Sequence, residues 1–233
     1  MKQCLWCHQP FTPTLQLAEL LSWHQLIPPL LCANCQQIFK RIDQRTACPG
    51  CGRAQTQPRL CRDCQRWQHT TEPCVPNHAL FQYTTSMSTF FQRYKTQGDY
   101  RLRQLFQPTL KRYFRHSKAI LVPVPPDPQR YQQRGFDAVQ GLFAGCGDWV
   151  PCLQKQAGPK QSQQKRKLRL QTAQPFSMQA SYLTKPLARP IIIVDDVYTT
   201  GRTLRHAQAC LQAAWPDAQI QHLLWQDKLR ISG

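Results

Sequence analysis

Asp195 and Asp196 stand side by side after an apolar run, Ile191-Ile192-Ile193-Val194, and before Val197-Tyr198-Thr199-Thr200-Gly201-Arg202-Thr203. Adjacent carboxylates accept hydrogen bonds from sugar hydroxyls and can hold Mg2+ through water. A turn of hydroxyls, glycine and backbone N–H groups that opens a helix is an anion site. Carboxylates repel a bare phosphate. The pair and the turn together therefore suit a ligand that carries both hydroxyls and phosphate, a sugar phosphate.

A second constellation lies at the N-terminus. Eight of the twelve cysteines form four C-x-x-C pairs, Cys4/Cys7, Cys32/Cys35, Cys48/Cys51 and Cys61/Cys64. Each pair presents two thiolates on one side of a tight knuckle, and two knuckles complete a tetrahedron around zinc at a Zn–S distance of ~2.3 Å. A single pair could be a redox dithiol; four within the first 64 residues point to two structural zinc ions. Sequential pairing would group Cys4, Cys7, Cys32 and Cys35, then Cys48, Cys51, Cys61 and Cys64, as a double zinc ribbon. The spacing also allows a cross-braced pairing. Gly50 and Gly52 suit the sharp turn around Cys51. Beyond a short helix expected over Thr14–Trp23, this region has little core of its own, so metal would supply its folding energy. His8 and His69 read as surface residues. Cys74, Cys146, Cys152 and Cys210 read as buried or free thiols. The module reads first as a scaffold. Its second reading is contact with nucleic acid through Arg53, Arg59, Arg62 and Arg66, with Trp67 as a stacking surface.

The elements that must position the acidic pair follow from hydropathy. Ile191–Val194 is β-branched throughout and reads as a strand buried on both faces, as in a parallel sheet. Leu204, Ala207, Cys210, Leu211 and Ala214 recur at helical spacing. Upstream, Leu80–Thr84 reads as a short strand, and Met87, Phe90, Phe91 and Tyr94 form one helical face. A second helix is expected over about Tyr100–Phe114; its Arg101, Arg103, Lys111, Arg112 and Arg115 read as a solvated face, or together with Arg93 and Lys95 as an extended basic surface. Ala119–Val124 is another apolar strand that runs into Pro123, Pro125 and Pro126, where a rigid loop must begin. That loop carries Arg130, Arg134 and Gly135, a second anion site, and leads into a helix with Val139, Leu142 and Phe143. Gln219–Trp225 reads as the last strand. The fold class is α/β, a Rossmann-like parallel sheet with a small N-terminal zinc-ribbon domain. The expected domains are 1–72 and 79–233, linked through Pro73–Pro76.

The acidic pair and its turn resemble the phosphoribosyl-pyrophosphate (PRPP) motif of type I phosphoribosyltransferases. The resemblance gives Asp195 and Asp196 to the ribose, and Val197, Thr199, Thr200, Gly201, Arg202 and Thr203 to the rest of the PRPP site, chiefly its 5′-phosphate. It assigns Pro123, Val124, Pro125, Arg130, Arg134 and Gly135 to a pyrophosphate loop. The segments Val122-Pro-Val-Pro…Arg130…Arg134-Gly135-Phe136, Phe81-x-Tyr83…Tyr94-Lys95…Gly98-Asp99 and Gln161…Lys165-Arg166…Leu170…Phe176 are similar to a narrower group, the ComF/GntX competence-protein family. Its members join a cysteine-rich zinc module to a phosphoribosyltransferase-like domain, and the resemblance covers nearly the whole chain. Asp137-Ala138 stand where that family usually has Asn-Gln, and Gln171 or its neighbour stands where it usually has Asn. Its mobile basic loop corresponds to Gly158–Thr172, with Lys165, Arg166, Lys167 and Arg169. Here that loop is expected to close as a lid between two strands of the ligand-binding sheet.

The formal charge of the 233 residues is +18, and residues 79–233 hold 22 Lys/Arg against eight Asp/Glu. Such a charge favours polyanionic partners. No apolar run reaches the ~18 residues of a membrane helix, and Met1-Lys2-Gln3-Cys4 is not a secretory signal; a cytoplasmic protein without membrane insertion is expected. As an enzyme, the chain would bind PRPP with Mg2+ and transfer the ribosyl group to an acceptor that no segment specifies. As a ComF-like protein, it would act in natural transformation, handling single-stranded DNA on the cytoplasmic side. The resemblance adds a helicase-like competence ATPase and a membrane DNA channel as partners that would bring it to the inner face of the cell membrane. The alternative is a nucleotide-salvage phosphoribosyltransferase with a structural zinc ribbon.

Overall fold

The computed structural model describes residues 1–13, 29–68, 77–155, 174–183, 189–198 and 201–227. The chain begins with a short hairpin, β1 (Lys2–Gln3) and β2 (Pro10–Phe11), then α1 (Ala33–Gln37) and α2 (Arg62–Gln68). The α/β part runs β3 (Asn77–Gln82), α3 (Thr85–Phe91), a π-helical turn (Gln92–Thr96), a 3-10 helix (Tyr100–Leu105), α4 (Gln107–Phe114), β4 (Ile120–Pro123), α5 (Pro128–Arg134) and α6 (Ala138–Phe143). It ends with β5 (Leu153–Lys155), β6 (Phe176–Met178), α7 (Ala180–Leu183), β7 (Ile191–Tyr198), α8 (Arg202–Ala214) and β8 (Ile220–Asp227).

Four strands form the central sheet in the order β3-β8-β7-β4, all parallel. Side chains alternate across a strand, and β7 uses both faces. Ile192 and Val194 join Phe90, Leu121, Phe143 and Leu223 in one buried cluster, while Ile191 and Ile193 join Leu204, Ala207, Leu211 and Leu224 in the other. Helices thus cover both faces, which is why β7 reads as an unbroken apolar run. The expected Rossmann-like parallel sheet with an N-terminal cysteine-rich module is what the structure has.

The cysteine-rich segment straddles the β3 edge of this sheet. Its first half (Cys4, Leu31, Cys35, Phe39) is buried with Phe81, Phe90 and Phe106 on one face; its second half (Cys48, Cys51, Cys64) belongs to the cluster on the other. Between them the chain crosses the edge. The Ile42 N–H donates to the Leu80 carbonyl at 3.0 Å and the Gln82 N–H to the Lys40 carbonyl at 2.9 Å. An exposed edge strand is a liability for aggregation, and this crossing covers it. Phe39 is the main apolar anchor, 5.1 Å from Trp6 and 5.0 Å from Phe106 in edge-to-face geometry. Each such pair contributes about 0.5–1.5 kcal/mol beyond area burial. The small core seen in the sequence of this region is thus supplemented by the α/β core.

Several sequence expectations are corrected. β3 starts at Asn77, ahead of Leu80, because Asn77 is tied to the second knuckle: its N–H donates to the Gly50 carbonyl at 3.1 Å and its Nδ2 to the Cys51 carbonyl at 2.6 Å. The helix expected over Tyr100–Phe114 divides at Phe106 into a 3-10 and an α segment, with Pro108 in the first turn of the second. The loop expected after Pro126 contains α5. Asp127 caps it by accepting from Gln129 N and Arg130 N at 3.1 and 3.2 Å, Pro128 opens it, and Gly135 at φ 77° closes it. The basic loop is flanked by β5 and β6, a separate antiparallel pair, rather than by strands of the central sheet. Residues 156–173, which include Lys165, Arg166, Lys167 and Arg169, lie outside the described residues, as do Thr199, Thr200, His69, Cys74 and the segments expected as a helix over Thr14–Trp23 and a linker over Pro73–Pro76.

Candidate functional site

The thiols of Cys4, Cys7, Cys32 and Cys35 lie within 4.8 Å of one another, and so do those of Cys48, Cys51, Cys61 and Cys64. Of the two pairings that spacing allowed, the structure adopts the sequential one. A tetrahedron with Zn–S bonds of ~2.3 Å has S–S edges of about 3.8 Å. The Cys7–Cys32, Cys48–Cys64 and Cys51–Cys61 separations are 3.9, 3.7 and 3.6 Å. Both clusters therefore fit tetrahedral zinc. Main-chain donors point at the sulfurs: Cys32 N–H to Cys4 Sγ at 3.4 Å and Cys61 N–H to Cys48 Sγ at 3.3 Å. Burial pushes the Cys4 thiol up, but the N–H groups of Cys7, Cys32 and Trp6 outweigh it and hold it at about 6, favouring the thiolate that metal needs. His8 is exposed, as expected. Cys146 and Cys152 are buried free thiols, pushed by that burial up to about 11 and 12; Cys210 is a free thiol and partly buried.

Asp195 and Asp196 sit near the carboxyl end of β7, the position where open α/β sheets bind ligands. The Asp196 N–H donates to Asp195 Oδ1 at 2.8 Å. Asp196 Oδ2 is ion-paired with Lys95 Nζ. Burial, together with the adjacent Asp196 charge, pushes the Asp195 carboxyl up to about 8. Asp137 is a third carboxylate near the pair. Burial raises its pKa and the Asp196 charge adds to the rise, while N–H donation from Gln140 and Val139 acts the other way. Asp137 caps α6 by accepting from Val139 N at 2.8 Å and Gln140 N at 3.1 Å. Asn is as good a cap as Asp, so the departure from the family's usual Asn-Gln leaves the helix start intact and adds a charge.

The neighbouring strand supplies the second anion loop. Pro123 is the register partner of Val194, and the Val124 N–H donates to the Val194 carbonyl at 3.0 Å. The segment Pro123-Val124-Pro125 thereby leaves the sheet beside Asp195. Arg130 is exposed on α5. Arg134 is partly buried, with its guanidinium 5.6 Å from the Phe136 ring and its Nε lacking a hydrogen-bond partner among the described residues. Gly201, at φ 74°, turns the chain from β7 into α8 and is buried; Thr203 is exposed, and Arg202 Nε lies 3.1 Å from His206 Nε2. Asp195, Asp196, Val197, Gly201, Arg202 and Thr203 thus lie around one strand-to-helix turn.

Lys95 and Asp137 join the candidate site without any signature in the motif or its spacing. In the sequence Lys95 reads as a surface cation, because its distance from Asp196 in the chain hides their pairing. The Tyr94-Lys95 segment singled out in the sequence was the available signal. Near the second cluster, Arg53, Gln55, Arg59, Leu60, Arg62 and Gln65 line one groove, which gathers three of the arginines expected to face nucleic acid. Arg53 is also paired with Asp63 at 3.1 Å. The side chains of Arg66 and Trp67 lie outside what the structure describes.

The chain has relatives over about nine-tenths of its length. The chain is 33% identical over 214 residues to "Competence protein ComFC" of Streptococcus pneumoniae, a match that covers 91% of this chain and 94% of that protein. This chain belongs to the ComFC competence-protein family. A second ComFC protein, from Bacillus subtilis, is 29% identical over 219 residues, covering 89% of this chain and 88% of the relative. No protein-family model matches the chain. A ComFC-family assignment agrees with the similarity read from the motifs, and the match spans both the cysteine-rich and the α/β parts.

Proposed function

We propose that this protein acts in competence, handling incoming single-stranded DNA on the cytoplasmic side, and that its acidic pair binds PRPP with Mg2+. The observation that carries the reading is the match to ComFC proteins over about nine-tenths of the chain. The location of Asp195 and Asp196 at the carboxyl end of a parallel strand, with the Gly201 turn after them, supports the sugar-phosphate part. Asp195 and Asp196 take the ribose hydroxyls, and the turn around Gly201 takes the 5′-phosphate. The Pro123–Pro125 loop with Arg134 faces the pyrophosphate, and Mg2+ arrives with the ligand. The +18 charge and the arginine-lined groove support the DNA part. Zinc in both thiol clusters is structural in this account. Among the described residues, no helix is long and apolar enough to cross a membrane; approach to the membrane runs through a DNA channel and a helicase-like ATPase as partners.

Two titrations test the reading. Calorimetry with PRPP and Mg2+ gives binding in the wild type and none in the folded Asp195→Asn/Asp196→Asn variant; equal affinity in both would remove the site assignment. Single-stranded DNA binds with an affinity that falls steeply with salt. Replacing Lys165, Arg166 and Lys167 by glutamine lowers the slope of that dependence by about two to three. A wild type that ignores DNA at low salt would contradict the DNA role.

A further inference from the structure

The π-helical turn Gln92–Thr96 carries one cation to the surroundings of the first thiol cluster and another to the acidic pair. The Arg93 guanidinium lies 4.7 Å from the Trp6 ring centroid, donates to the Trp6 carbonyl at 2.8 Å and reaches His8 Nε2 at 3.3 Å. Trp6 and His8 flank Cys7 of the first thiol cluster. Asp99 holds the same guanidinium at 3.6 Å. Two residues on, Lys95 pairs with Asp196 and lies 4.7 Å from the Phe91 ring centroid. Helical residues two apart do not share a face, so the two cations leave the turn in different directions. Tyr94, between them, is fully buried and donates to the Ala138 carbonyl at 2.9 Å, which fixes the turn against rotation. π-helical turns are rare and are frequently found at functional sites.

We propose that this turn couples the first zinc knuckle to the acidic pair, with Arg93 as a positioning residue that holds Lys95 on Asp196. Its functional meaning rests on the sugar-phosphate reading above. Two adjacent carboxylates repel a phosphorylated ligand, and Lys95 cancels one of those charges. A knuckle that holds Arg93 firmly therefore keeps the site receptive. By thermodynamic reciprocity, the state of the acidic pair also alters the knuckle.

Two measurements on the full-length, zinc-loaded protein test this. In calorimetry with PRPP and Mg2+, Arg93→Ala weakens binding about tenfold, within the usual range of coupling between sites. Lys95→Ala has a similar effect, the double variant is little worse than either single one, and Arg93→Lys recovers part of the loss. Zinc content by atomic absorption remains at the wild-type value. The second measurement needs no PRPP. It follows transfer of the first cluster's zinc to a chelating dye, the phase that survives Cys48→Ser. Asp196→Asn, on β7, speeds that phase severalfold, and adds nothing in an Arg93→Ala background. Wild-type PRPP affinity in Arg93→Ala beside weakened binding in Lys95→Ala would overturn the coupling, and so would unchanged zinc release in Asp196→Asn. A wild type that binds no PRPP, but whose zinc release responds to Asp196→Asn, would sink the sugar-phosphate reading and leave the coupling standing.

Discussion

Asp195 Oδ1 accepts the backbone N–H of Asp196 at 2.8 Å, so the first carboxylate of the pair is turned back on the main chain while the second is held by Lys95. The two neighbours in sequence are thereby given different electrostatic surroundings. Asp195 faces the negative charge of its neighbour, and Asp196 is ion-paired with Lys95.

That asymmetry has a pH signature. An unfolded aspartate titrates near 3.9, whereas burial and the Asp196 charge push the folded Asp195 up to about 8. Between those values the native state holds a proton that the unfolded chain lacks. The stability from this group is complete below about pH 4 and is lost as pH rises through about 8. Asp195→Asn keeps the acceptor and removes the titration. In urea unfolding it matches the wild type near pH 3, gains on it as pH rises from about 4 to 8, and exceeds it at pH 9 by an amount on the order of a few kcal/mol. A difference that stays constant across that range would contradict the assignment.

Cys48→Ser removes a thiol from the second cluster alone. Bound zinc, measured by atomic absorption, falls from two ions to about one. Because the Cys51 carbonyl holds Asn77, amide exchange at the start of β3 rises as well. Retention of both ions would contradict two four-cysteine sites.

Gly52 has φ 72°, and a Cβ there would stand 2.5 Å from the Ala79 nitrogen and 2.7 Å from the Asn77 carbonyl oxygen. Gly52→Ala therefore meets main chain on the docked edge strand and costs about 2–4 kcal/mol in chemical denaturation. Gly98 shares the left-handed backbone, at φ 74°, but among the described residues nothing beyond its chain neighbours lies within 4 Å of its added Cβ. Gly98→Ala costs about 1 kcal/mol. Equal costs would show that backbone conformation alone, and not docking of the knuckle on β3, governs Gly52.

The parts of the fold legible in the sequence are those whose cause is local. The apolar run Ile191–Val194 needs no partner to be read as a doubly buried strand, and C-x-x-C spacing fixes a knuckle. Capping is equally local: in α5, Asp127, Pro128 and Gly135 mark both ends. The knuckle pairing, the attachment of Lys40–Ile42 to β3 and the Lys95–Asp196 pair depend on distances through space. Lys95 and Asp196 are remote in the chain, and no periodicity links a π-helical turn to the end of a strand. Of the candidate site, the strand, the acidic pair and Gly201 could be read in advance; the cation that neutralises the pair could not.

The central claim is that the carboxyl end of β7 is a sugar-phosphate site. Diffraction from crystals grown with PRPP and Mg2+ tests it most directly. The account predicts ribose hydroxyls on the carboxylates of Asp195 and Asp196, the 5′-phosphate at the Gly201 turn, and Lys95 within reach of the same ligand. Ligand density elsewhere, for example in the groove lined by Arg53, Arg59 and Arg62, with the acidic pair left empty at a concentration that saturates binding in solution, would contradict it.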